Sequence, residues 1–256
     1  MAVAPFTQKL LAGRGRRAAI ELRGDRTFAP RSARLSGMVV DTGVLSGVVG
    51  LSAVLVLVRP TWRAVRYPVT AVHELGHLVT AMLLGGRVGR VRLRADTSGL
   101  TTWRAGRQGR GRSGLIALSG PAMPPLVGAG CAAAFASGRA TLGVLVLAAL
   151  VGTIALVVRN LWGLVVCAAL GAVCWWGWHD GNASAQVLML ASATVLCLGG
   201  VRAVTEEMTA LPPGGRRDTQ VAAAALWLPP ALWGTVLLAW AVAWTGWATW
   251  QVASGL

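Results

Sequence analysis

Apolar residues in this chain come in long runs separated by short, mostly basic segments, and the runs set the element count. Six of them are Gly37–Val58, Arg66–Leu84, Leu115–Ala136, Ala140–Val158, Leu161–Trp178 and Ala183–Val204. Each is close to the ~20 residues a helix needs to cross about 30 Å of hydrocarbon. A last run, Thr219–Trp250, is too long for one ordinary span and is interrupted at Pro229-Pro230. It reads as a short piece followed by a seventh span. Arg59-Pro60 ends the first run, and Gly85-Gly86 stops the second, as glycine commonly does at helix ends. The third run holds Gly120-Pro121 and Pro124-Pro125. Proline there frees backbone carbonyls that only neighbouring helices or a wet cavity satisfy, which predicts a kinked helix facing the protein interior.

The polar stretch between the second and third runs has a different period. Val91-Arg92-Leu93-Arg94-Ala95 alternates, Asp96-Thr97-Ser98-Gly99 reads as a turn, and Leu100-Thr101-Thr102-Trp103 returns. That is a hairpin signal. The fold class predicted is an all-α polytopic membrane protein of about seven transmembrane helices, with a short membrane-associated β-hairpin after the second. Residues 1–36 are expected to be a basic, flexible cytoplasmic tail with no cleavable signal peptide, and 37–256 a single polytopic membrane domain.

Composition agrees: 55% of residues are hydrophobic and 13% charged, against about a quarter charged in soluble domains. The net charge of +15 would suggest nucleic acid in a soluble chain. Here the arginines lie between apolar runs, so loops retained on the cytoplasmic side and attraction to anionic lipid explain them, and no nucleic-acid partner is expected. With the N-terminus cytoplasmic, seven spans place all but Arg59, Arg63, Arg66 and Arg139 of the 24 basic residues inside. The Arg59–Arg66 cluster is the discordant point, and it raises the alternative of a re-entrant first span. Cys131, Cys167, Cys174 and Cys197 all lie in apolar runs without a Cys-x-x-Cys pair, as small core residues do.

The second run carries the chemistry. It contains His73-Glu74-Leu75-Gly76-His77. Helical spacing puts His73 and His77 one turn apart on one face, where both imidazoles reach a single metal ion, with Glu74 adjacent as a general base. Ionisable groups inside a span are costly and usually functional. A catalytic zinc site commonly takes three protein ligands. Candidates for the third are Asp41, Asp96, His179, Asp180, Glu206, Glu207 and Asp218. Asp218 alternatively reads as an ordinary helix N-cap.

These residues, together with Gly86-Arg87-Val88, Asp96-Thr97-Ser98-Gly99-Leu100-Thr101 and Gly120-Pro121, resemble the M50 peptidases, the site-2-protease-like intramembrane zinc metalloproteases, and in particular their M50B-like branch. The resemblance covers about residues 66–228. It implies Zn2+ held by His73, His77 and an Asp on a later helix, matched by Arg217-Asp218-Thr219-Gln220-Val221, with Glu74 catalytic. It further implies membrane-protein or membrane-peptide substrates, a possible part in regulated intramembrane proteolysis, and a bacterial plasma-membrane location. The sequence departs from the family pattern twice: it has no Asn-Pro-Asp-Gly tetrapeptide, and Pro124-Pro125 stands where many members carry an Asn. Two other readings are a proteolytically inactive metal-binding protein with a regulatory role, and a small transporter. The sequence names neither a substrate nor an oligomeric state.

Overall fold

The computed structural model describes residues 40–96, 99–104, 109–209 and 217–255. The expected tail at 1–36 and the Pro212–Gly215 turn fall outside them. The described elements are α1 (Thr42–Leu57), α2 (Arg59–Leu83), β1 (Arg87–Leu93), β2 (Gly99–Arg104), α3 (Arg110–Ala136), α4 (Ala140–Val157), α5 (Leu161–His179), α6 (Asn182–Thr209), α7 (Asp218–Leu226) and α8 (Pro230–Gly255).

Helices α3, α4, α5, α6 and α8 are long and apolar enough to cross a membrane; α1 and α2 meet at 103° and add a sixth if taken as one broken span. The seven expected spans therefore contract at the N-terminal end. Val58 is extended (φ −80, ψ 128), and Pro60 lies in the first turn of α2, where proline's fixed φ suits a helix start. Arg59, Arg63 and Arg66, read from sequence as an outer loop, form the first two turns of α2.

Their side is fixed by α6. Arg66 pairs with Glu206 at 3.3 Å and Arg202 pairs with the same residue at 2.9 Å, so both arginines lie at one end of the bundle. The sequence count had put them on opposite faces. Arg202 also donates to the carbonyls of Val56 and Leu57, while Leu45 packs beside Leu190 and Ala193. Helix α1 consequently runs parallel to α6, and Thr42 opens at the other end, where Val40 packs against the cluster containing Phe135 and Ala140.

Helix α3 is central, packed by α2, α6, α7 and α8. It runs through Pro121, Pro124 and Pro125 as one helix. The carbonyls of this stretch receive side-chain donors from neighbours: Trp240 Nε1 donates to Ala122 O at 3.0 Å and Cys197 Sγ to Pro125 O at 3.7 Å. The interior placement expected of this helix holds.

The two strands pair antiparallel with Val91 opposite Thr101 and Leu93 opposite Gly99. Val91 and Leu93 are buried against Ala71, Leu75 and Leu78 of α2, Ile154 of α4, Val166 of α5 and Val158 of the connector between α4 and α5. The outer edge of β1 is covered. Arg159 N donates to Val91 O at 3.1 Å, and the Asn160 amide both accepts from Leu93 N at 3.2 Å and donates to Leu93 O at 2.5 Å.

Candidate metal centre

Helix α2 passes close across α3 because Gly76 has no side chain: a Cβ there would stand 2.9 Å from the Ser119 carbonyl carbon. Ser119 Oγ donates to Gly76 O at 3.0 Å and to Ile116 O at 2.7 Å, tying the crossing together. The crossing sets the buried His77 and the half-buried His73 against Gly120 of α3. His77 Nδ1 lies 2.7 Å from Ile116 O. Only a protonated Nδ1 makes that contact, which leaves the Nε2 lone pair for a ligand. The two Nε2 atoms are 3.1 Å apart, with the rings edge to face at 82°.

Asp218 enters from α7. It is the first residue of that helix, and the N-cap is Arg217, so the alternative reading of Asp218 as the N-cap does not hold. Its Oδ2 is 2.9 Å from His73 Nε2 and 3.4 Å from His77 Nε2. Two contacts seat α7. Glu207 of α6 accepts from both Thr219 N and Thr219 Oγ1 at 3.0 Å, and Gly114 of α3 lies where a Cβ would meet Ala225 at 3.1 Å.

Donor atoms of His73, His77 and Asp218 all lie within 4.8 Å of one another. Two imidazole nitrogens and one carboxylate oxygen are the donor set a catalytic Zn2+ takes. Gly120 keeps the space between them open, since a Cβ there would come within 2.8 Å of His73 Nε2. The residues present thus fit the metal that the sequence motif implies.

Glu74 is buried beside this trio and accepts a hydrogen bond from the Thr101 hydroxyl of β2, itself buried. Gly99 lies against the same carboxylate, where a Cβ would be 2.6 Å from Glu74 Cγ. The hairpin therefore lies directly over the motif's glutamate. Sequence reasoning missed both contacts: Thr101 and Gly99 entered as hairpin residues and as part of the family resemblance, and nothing in a period-2 pattern says which residue faces a given glutamate.

The remaining candidates lie elsewhere. Asp41 caps α1 through Gly43 N at 2.8 Å. Glu206 holds Arg66 and Arg202, Glu207 holds Thr219, and Asp96 lines a cavity at the start of α2. His179 and Asp180 face one another at 3.5 Å at the α5–α6 turn.

No curated protein and no solved structure matches the chain. A family model does: the one described as Peptidase M50B-like matches residues 46–248, and the chain belongs to that family.

Proposed function

We propose that this integral membrane protein is a zinc-dependent intramembrane endopeptidase, in which His73, His77 and Asp218 hold the metal and Glu74 is the catalytic base. The observation that carries the reading is the convergence of three donors from two distant helices beside a buried glutamate. Bound Zn2+ supplies Lewis acidity and makes water a competent nucleophile near neutral pH. Glu74 takes the proton from the attacking water and returns it to the leaving amine. The Thr101 hydroxyl holds the Glu74 carboxylate in place for both transfers.

The substrate is a membrane-spanning segment that unwinds before cleavage. An extended segment pairs with a free strand edge through main-chain hydrogen bonds. Because Arg159 and Asn160 occupy the β1 edge, the edge assigned to substrate is that of β2, the strand that carries Thr101 to Glu74. The asymmetry of basic residues supports a cytoplasmic position for the arginine-rich end.

Zinc content of the purified protein, paired with cleavage of a model membrane substrate, tests this. Wild type should hold one zinc per chain, His73→Ala and Asp218→Ala should lose most of it, and Glu74→Gln should keep zinc while losing cleavage by at least ~100-fold. Full zinc retention in Asp218→Ala removes the third ligand. Undiminished cleavage by Glu74→Gln removes the mechanism. Zinc without any cleavage by wild type leaves a regulatory metal protein, and transport in liposomes without zinc leaves a transporter.

A further inference from the structure

A cavity of about 560 Å³ opens at the start of α2, walled by the end of α6 and the hairpin turn. Four guanidinium groups, those of Arg59, Arg63, Arg66 and Arg202, line it against two carboxylates, Asp96 and Glu206. Glu206 is fully engaged. It accepts from Arg66 and Arg202 at 3.3 and 2.9 Å and from the Trp62 indole N–H at 3.3 Å. Both of those guanidinium groups also lie over the Trp62 ring, at 5.9 and 5.0 Å from its centroid, so they form a fixed wall. Arg59 and Arg63 differ. They are exposed, one turn apart on α2, and pair with no carboxylate among the described residues.

The four guanidinium groups outnumber the two carboxylates, Asp96 and Glu206, and two neighbouring ones above a pre-formed wall suit an oxyanion with several oxygens, because their planar forks match phosphate. The adjoining surface indicates where that phosphate comes from. The last turn of α1 and the extended Val58 after it turn apolar side chains outward immediately before Arg59, with Val54 53%, Leu57 68% and Val58 42% exposed. Acyl chains lying along that face bring a phosphate to the α1–α2 bend and the mouth of the cavity. A soluble phosphate compound would leave this apolar approach uncovered. We propose that the cavity binds the head-group phosphate of an anionic phospholipid, through Arg59 and Arg63 with Arg66 behind them. The site is separate from the metal centre: Arg66 precedes His73 by seven residues, about 10 Å along the helix. It does not rest on the hydrolytic reading.

The test uses the full chain, purified in a mild non-ionic detergent and incubated with mixed phosphatidylglycerol–phosphatidylcholine vesicles, with retained lipid identified by native mass spectrometry. Wild type should retain phosphatidylglycerol over phosphatidylcholine by about tenfold or more, and the exposed double variant R59Q/R63Q should lose that preference. R139Q, at the other end of the bundle, should keep it. Equal retention of the two lipids by wild type, or an unchanged preference in R59Q/R63Q, overturns the proposal. Inorganic phosphate or glycerol phosphate alone binding as tightly as the lipid reassigns the site to a soluble phosphate. An acidic peptide that binds wild type but not the double variant, with no lipid preference in either, reassigns it to protein and overturns the lipid site as well.

Discussion

A buried carboxylate next to an imidazole pair is useful as a base only if it is held still, and at Glu74 the holding group is one hydroxyl. Thr101 donates to it from β2, and both side chains are shielded from solvent. A hydrogen bond to a charged group contributes roughly 1.5–3 kcal/mol, so Thr101→Val, which keeps the shape and deletes the donor, should lower kcat on a model membrane substrate by about 10- to 100-fold. KM and zinc content should stay as in wild type, and Thr101→Ser should restore most of the rate. A valine variant with wild-type kcat would reduce Thr101 to a packing residue. The same residues show what the sequence discloses. His73, Glu74 and His77 were legible because four-residue spacing on a helix fixes their common face without reference to the rest of the fold. Asp218 was not legible in that way: resemblance to a family pointed to it, while its position depends on α7 seating against Gly114 and Glu207. Gly120 read as part of a kink signal, whereas its use is clearance for two imidazoles, a requirement visible only once α2 crosses α3.

The hairpin shows the same limit one scale up. Its strands were legible from alternation, but its support was not, because that comes from the connector between α4 and α5. Val158 bridges Val91 in parallel, and Asn160 clasps both the N–H and the C=O of Leu93. The connector thus acts as a short third strand that seals β1 and turns the open edge to β2. Asn160→Ala leaves two half-buried backbone groups without protein partners, at a cost of about 1–3 kcal/mol each if they stay dry. Amide exchange in Arg87–Leu93 should accelerate at least tenfold, while exchange in α3 and α6 stays unchanged. Equal protection in the variant would mean that strand pairing and the cluster under Val91 and Leu93 suffice. Helices α1 and α2 carry the complementary lesson. Their apolar lengths were legible, and the angle between them was not, since it is set at Val58 by one extended residue and by Arg202 reaching the last carbonyls of α1.

That angle decides the topology of the whole molecule. Two separate spans in this region place Thr42 at the end of the bundle opposite Ser137. A bent pair, with α1 parallel to α6, places Thr42 and Ser137 together and Thr209 at the other end. The charges favour the second arrangement. Once Arg59, Arg63 and Arg66 join Arg159, Arg202 and Arg217 on one side, Arg139 is the one basic residue among those described that lies at the opposite end. A bias that strong orients loops toward the cytoplasm. On that arrangement the start of α1 is expected on the outer side, where the sequence alone predicts a cytoplasmic start. Single cysteines at the exposed positions Thr42, Ser137 and Thr209 distinguish the two arrangements with a membrane-impermeant maleimide on intact cells. The four native cysteines are buried and give little background. Thr42→Cys and Ser137→Cys should label from outside, and Thr209→Cys only after the membrane is opened. Thr42→Cys labelling together with Thr209→Cys would restore two separate N-terminal spans and a cytoplasmic start, and would break the parallel packing of α1 on α6 that sets Arg202 against the start of α2.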